Sequence, residues 1–376
     1  MRRSLFRTLC GLAFALAQTA WSQTSVVLWS GQPLEGDIAG MSHGGLLVER
    51  DGLQSVVGWD AVRSVDGDLA SPAQPFVAAG RLAWRARTRL ERGDAFAAEP
   101  LLEPLMAEFA GHRGPTPALI AEGVLRCRLR RGALTSAIPA WLMLLDADRR
   151  ADRSAPLIPS LNPVVDPQTG LVPALPPLWI DDAGVTAFAA QRVSLPSGDE
   201  RAGVLAELYI ASARLSTGLA IEDSLLTDAE RRSADDPGLR LAWAVVASQL
   251  PAGRARDRAL TELEQVIANS GVPDQEPAWT EAWARAALGS TLVRAIDPDT
   301  RRLGVIHLLH VPARFGAEAS YLAGLCLARA AETVRDLGDA RGADALEAEL
   351  ASEYSGHPAL GRVVRPTPSP EGDPSS

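Results

Sequence analysis

The chain has 376 residues, 47% of them hydrophobic, a mean hydropathy of +0.02 and a formal charge of −9. That is ample apolar material for a large core or a long array, and it excludes a broad polyanion-binding surface except at a local basic patch. All 37 basic residues are Arg, and three cysteines are too few for a disulfide-stapled scaffold.

In chain order, residues 1–22 have the pattern of a secretory signal peptide. Arg2, Arg3 and Arg7 precede the short apolar run Leu9 to Ala17, and Ala20-Trp21-Ser22 places small residues at a cleavage site. The mature chain is expected to start at Gln23, in the periplasm or outside the cell. The apolar run is too short to span a bilayer, and no later run approaches that length, so no transmembrane segment is expected in the mature chain.

Residues 23–68 change to a period of two. Val26 to Trp29, the alternation Leu34, Gly36 and Ile38, and the stretches around Gly44-Gly45 and Asp51-Gly52 predict five short strands with tight turns. Strands this short are expected to close into a small barrel, which leaves no open edge. The stretch Gly31-Gln32-Pro33-Leu34-Glu35-Gly36-Asp37-Ile38 resembles the start of SH3-like and Sm-like barrels. That resemblance implies a structural or partner-docking barrel. Sm-like relatives bind RNA through a loop containing Asn, and Met41-Ser42-His43-Gly44 has none, so RNA binding is the lesser alternative.

Residues 72–150 predict helical hairpins, and they carry an internal repeat. Shifted by 245 positions, Leu82 to His112 falls on Leu327 to His357 with 13 of 31 residues identical, against about a tenth by chance. In each copy an apolar stripe (Leu82, Ala86, Leu90) ends at a Gly-Asp pair, and a second stripe (Ala98, Leu101, Leu105) follows. Glycine suits the left-handed turn after a helix, and aspartate caps the next one. A second unit, Thr116 to Asp146, places Gly132 at the turn, Ala137 at the small position and Trp141 in its second helix. This pattern resembles the tetratricopeptide repeat, with Ala86 and Ala98, then Ala331 and Ala343, at the small positions of its two helices. The resemblance implies a helical-hairpin solenoid whose concave face binds proteins or peptides. The expected fold class is therefore mainly α, a tetratricopeptide-like solenoid preceded by a small SH3/Sm-like β-barrel.

Residues 151–198 interrupt the array. Seven prolines between Pro156 and Pro177 forbid a continuous helix, but Leu175-Pro176-Pro177-Leu178-Trp179-Ile180 is too apolar for a solvated linker. An ordered excursion packed on the solenoid is expected, with one short helix in 183–191. Residues 199–358 resume the hairpins, with Pro237, Pro251, Pro273 and Pro298 at element boundaries. Residues 359–376, rich in Pro and Ser, predict a disordered tail.

No reacting constellation emerges from spacing. His307 and His310 share a helix face but lack the third and fourth ligands that zinc requires. Asp181-Asp182 is a carboxylate pair without an acid–base partner. Cys127 and Cys326 fit small buried hydrophobes, with a disulfide between them left open. No catalytic, cofactor or metal residue is assigned. The expected function is a non-catalytic protein–protein interaction scaffold of the bacterial cell envelope, with a protein or peptide partner and no nucleic acid. Binding of an envelope polymer or carbohydrate is the alternative. Candidate partner-binding residues are Arg85, Arg89, Arg126, Arg130 and Arg329, all on predicted first helices; Arg126, Arg128, Arg130 and Arg131 form a basic cluster suited to an acidic peptide.

Overall fold

A computed structural model describes residues 24–148, 150, 155–180, 183–191, 199–270 and 277–363. The expected leader, its cleavage site, the Asp181-Asp182 pair and the chain beyond residue 363 lie outside the described residues.

The five expected strands are present: β1 (Ser25–Leu28), β2 (Asp37–Ser42), β3 (Gly45–Arg50), β4 (Leu53–Val57) and β5 (Val62–Asp66). They do not close into a barrel. β1 pairs antiparallel with β5, and β2, β3 and β4 form a separate antiparallel meander. Outside these ladders, a single bridge joins Val27 to Pro33, and proline has no N–H with which to extend a ladder. A helix supplies the missing wall. Ala73 of α1 (Ala70–Glu91) joins Val26, Leu46, Val48, Trp59, Val62 and Val65 in one buried cluster, with Phe76 and Val77 against it. α1 can come this close because of Gly80, where a Cβ would stand 2.3 Å from the Trp59 carbonyl oxygen. The Trp59 indole donates to Ser42 O at 2.7 Å, its backbone N–H donates to Thr116 Oγ1 at 2.9 Å, and Trp29 stacks on Trp84 at 4.0 Å. The β region is thereby fixed to the first helices.

The rest is an array of helical hairpins. α1 pairs with α2 (Ala95–Glu108) and α3 (Pro115–Arg130) with α4 (Leu134–Ala147). After the excursion and the short α5 (Ala183–Ala189) come α6 (Glu200–Ser216) with α7 (Asp223–Ser233), and α8 (Pro237–Ala247) with α9 (Arg254–Asn269). α10 (Ala278–Leu292) pairs with α11 (Pro298–Phe315), and α12 (Ser320–Asp336) with α13 (Ala340–Glu353).

The hairpin turns are built as the sequence implies. Gly93 and Gly338 take φ of 77° and 95°, and Asp94 and Asp339 accept from the N–H groups of Ala97 and Gly342 at 3.1 and 2.8 Å. Asp236 and Asp297 cap α8 and α11 in the same way, each followed by proline at the first helical position. Alanines make the interhelical seams: Ala86, Ala98, Ala331 and Ala343 are all fully buried. One continuous core runs from Ala79 in α1 to Ala359 beyond α13. The disordered tail expected from residue 359 therefore begins later. Ala359 is buried, and Leu360–Val363 forms one more helical turn, α14. Among the described residues no helix is long and apolar enough to cross a membrane.

Candidate functional site

The proline-rich excursion is an ordered strand lying along the inner helices of the array. Ile158, Leu171, Val172, Leu175 and Leu178 are fully buried, and Trp179 and Ile180 nearly so. Proline has no N–H, so such a segment offers main-chain acceptors and few donors; each buried carbonyl needs a donor from elsewhere. The helices supply them from their side chains. Trp141 Nε1 of α4 donates to Gly170 O at 3.1 Å, and Trp283 Nε1 of α10 donates to Pro173 O at 2.9 Å. The Tyr209 hydroxyl of α6 donates to Leu175 O, Ser212 to Pro177 O, and Gln249 Nε2 to the same Pro177 O at 3.0 Å. From α12, Tyr321 donates to Leu178 O and Arg329 to Trp179 O, both at 3.2 Å. Successive carbonyls of one strand are thus held by successive helices of the array. Burial without a charged partner pushes the Tyr209 hydroxyl well above the usual tyrosine pKa, so it remains a donor at every physiological pH.

Arg201 anchors the start of this strand. It donates to Thr169 O and pairs with the Asp236 cap at 2.6 Å. Burial works against the Asp236 carboxylate, but hydrogen bonds from Arg201 and the α8 N–H groups, with the Arg201 charge, leave its pKa below the usual range.

Beside the strand a groove of about 580 Å3 stays open. The α3–α4 turn, residues 129–134, forms one wall, and the start of α12 with the end of α13 forms the other. Pro173, Ala174 and Pro176 of the excursion line it as well. The array therefore curls until its second and last hairpins border the same opening. Arg130 and Arg131 stand on one side; Glu318, Glu353, Tyr321 and Tyr354 stand on the other.

The five candidate arginines do not converge. Arg85 is exposed on α1. Arg89 pairs with Asp94 at 3.2 Å. Arg126 grips buried Glu122 at 2.6 Å and Asn162 O of the excursion. Arg130 donates to Gly93 O in the preceding turn at 2.5 Å, and Arg329 serves the strand and Ser290. Only Arg130 of the five lines the groove. Spacing missed the aromatic donors Trp141, Tyr209, Trp283 and Tyr321. Their signal was present in the prolines, which leave carbonyls that only side chains can satisfy.

Two histidine clusters complete the polar inventory. Glu281, buried in α10, is flanked by Arg285 at 2.6 Å, His310 Nε2 at 3.3 Å and Arg314 at 3.5 Å. Burial disfavours its charge, but hydrogen bonds from Arg285 and Ser270 and the two arginine charges hold its pKa below the usual range. Both His307 and His310 are lowered, first by desolvation and then by Arg285. Such a fully paired carboxylate is an ion network, not a poised general base. At the other end, His43 of the β2–β3 turn stacks on His112 at 3.9 Å. Cys127 and Cys326 are free and buried, and desolvation pushes both thiols up to about 12. Among the described residues, no group of three or more His, Cys, Asp or Glu is placed to hold a metal ion.

No family model, curated protein or solved structure matches the chain.

Proposed function

We propose that the protein is a non-catalytic interaction scaffold of the bacterial cell envelope, exported by the N-terminal leader and acting from Gln23 onward in the periplasm or outside the cell. Its hairpins are read as tetratricopeptide-like units, and its β region as an SH3/Sm-like module adapted to dock on α1. The observation that carries the reading is the inner trough, where one helix after another presents a side-chain donor to the main chain of an extended segment. Main-chain recognition of this kind tolerates many sequences and suits a binding protein. In this chain the trough is loaded with its own proline-rich strand. A partner segment then lies beside that strand, in the open groove between the α3–α4 turn and the last hairpin, with Arg130 and Arg131 meeting its acidic groups.

The test is site-specific photocrosslinking in the host. A crosslinker in place of Tyr354, on the groove, is expected to give a discrete protein adduct, and one in place of exposed Arg85 is not. Leu134→Glu, on the opposite wall, is expected to abolish the adduct. Equal labelling from both sites, or retention by purified cell-wall polymer with no protein adduct, overturns the proposal in favour of no partner or a polymer ligand.

A further inference from the structure

Three arginines from three helices gather where α8 and α10 end. Arg294, just past α10, donates through Nε to Ser290 O at 3.0 Å and through a terminal nitrogen to Gln249 O at 3.5 Å. Arg329 of α12 donates to the hydroxyl of the same Ser290, so two guanidinium groups share one residue. Arg256 stands in the first turn of α9, whose N-terminus at Gly253 has no side-chain cap. Helical side chains lean toward the N-terminus, so Arg256 reaches back over those uncapped N–H groups. Its Nε is buried without a hydrogen-bond partner.

The charge balance of this cluster differs from the rest of the molecule. Arg87, Arg126, Arg128, Arg201, Arg285 and Arg335 each face a carboxylate. Among the described residues, none pairs with Arg256 or Arg294. Burial, then the charges of Arg329 and Arg256, lower the pKa of Arg294. Capping of helix carbonyls accounts for two of the Arg294 contacts. It does not account for a second and third cation beside it, or for the unpartnered Arg256 nitrogen.

We infer that this cluster is a binding site for a tetrahedral oxyanion of the phosphate or sulfate class, held by Arg256, Arg294 and the first N–H groups of α9. A helix N-terminus faced by guanidinium groups offers both the dipole and the donor geometry that such an anion requires. The site is separate from the groove and does not depend on how the groove functions.

The experiment is thermal unfolding and titration calorimetry of the mature chain with inorganic phosphate, with sulfate, with a simple phosphomonoester, and with chloride at matched ionic strength. Phosphate or sulfate is expected to stabilise saturably where chloride does not. Stabilisation by the ester as well identifies a phosphoryl group on a larger molecule as an acceptable source; stabilisation by the free ions alone restricts the site to them. Arg256→Gln, on a partly exposed side chain that carries no packing, is expected to weaken binding by about tenfold or more while leaving the far-UV spectrum unchanged. Arg256→Lys is expected to restore part of the affinity. If chloride stabilises equally, or if Arg256→Gln binds phosphate as well as the parent does, the three arginines are helix-capping residues only and the inference fails.

Discussion

Ala86 and Ala331 lie 245 positions apart in the chain and occupy equivalent, fully buried places in the first and last hairpins. The likeness extends to Ala98 and Ala343, to Leu105 and Leu350, to the paired glycine turns and to the two aspartate caps. Leu101 and Leu346 are both partly buried against the same core. The two hairpins diverge where their neighbours diverge. α2 is covered by α3, and Leu102 is buried there; at the equivalent place α13 has no following hairpin and carries Glu347, paired with Arg335. Phe109 is buried under the β region, whereas Tyr354 is half-exposed on the groove. His112 stacks on His43 at the surface, whereas buried His357 fits against Gly324, where a Cβ would stand 2.6 Å from the ring. The inner seam of a hairpin is thus a local property, while its outer face is set by whatever comes next in the stack.

The largest expected effect comes from the leucines that end the two seams. Leu105→Ala and Leu350→Ala each remove a buried side chain, at a cost of about 2–5 kcal/mol. In urea unfolding, Leu105→Ala is expected to lower the midpoint of the main transition. Leu350→Ala, at the array's end, is expected to split off an early transition seen as lost hydrogen-exchange protection in α12 and α13. Identical single transitions for both would show that the end hairpin is no less coupled than the first.

Overpacking comes next. Ala86→Leu and Ala331→Leu push a larger side chain into a fully buried seam and are each expected to cost about 1–3 kcal/mol by chemical denaturation. A neutral result at either position would break the equivalence of the seams. The caps follow: Asp94→Ala and Asp339→Ala are each expected to cost about 1 kcal/mol, and the two values should agree, because each aspartate accepts one N–H in its turn.

The smallest effect separates the two histidines by pH. Nδ1 of His357 accepts from the Ala359 N–H at 3.1 Å, and Nε2 faces Tyr321 O at 2.8 Å, so the neutral ring fits its place. Burial lowers its pKa, against a raising contribution from that backbone contact. The unfolded chain then takes up the proton first. The stability is fully present above about pH 6.5 and is lost as pH falls through the lower folded pKa. His357→Gln is expected to flatten this acid limb of the stability curve. His112→Gln, at the surface, is expected to change it less, since desolvation and His43 also lower His112 but no backbone bond depends on its neutral form. An unchanged slope in His357→Gln would assign the acid sensitivity to His307 and His310.

Much of this architecture could be read from residue order. Helix limits followed from Gly-Asp pairs and from proline at first-turn positions, since these residues act through their own backbone geometry. The five strands followed from alternation and tight turns, but the barrel did not, because closure depends on which edges meet. Here Pro33 stops one ladder and α1 covers the gap. The candidate arginines shared a predicted surface by helical position alone; folding directed four of them to nearby carbonyls or carboxylates.

Sequence alone determined the hairpin units, their turns and their alanine seams, because each depends on contacts within some thirty residues that recur 245 positions later. Only the tertiary structure decided where the proline-rich strand runs and which surface stays open. Carbonyls at 170–179 find donors on α4, α6, α10 and α12, up to 150 residues away, and such partners exist only once the whole array has curled around the strand.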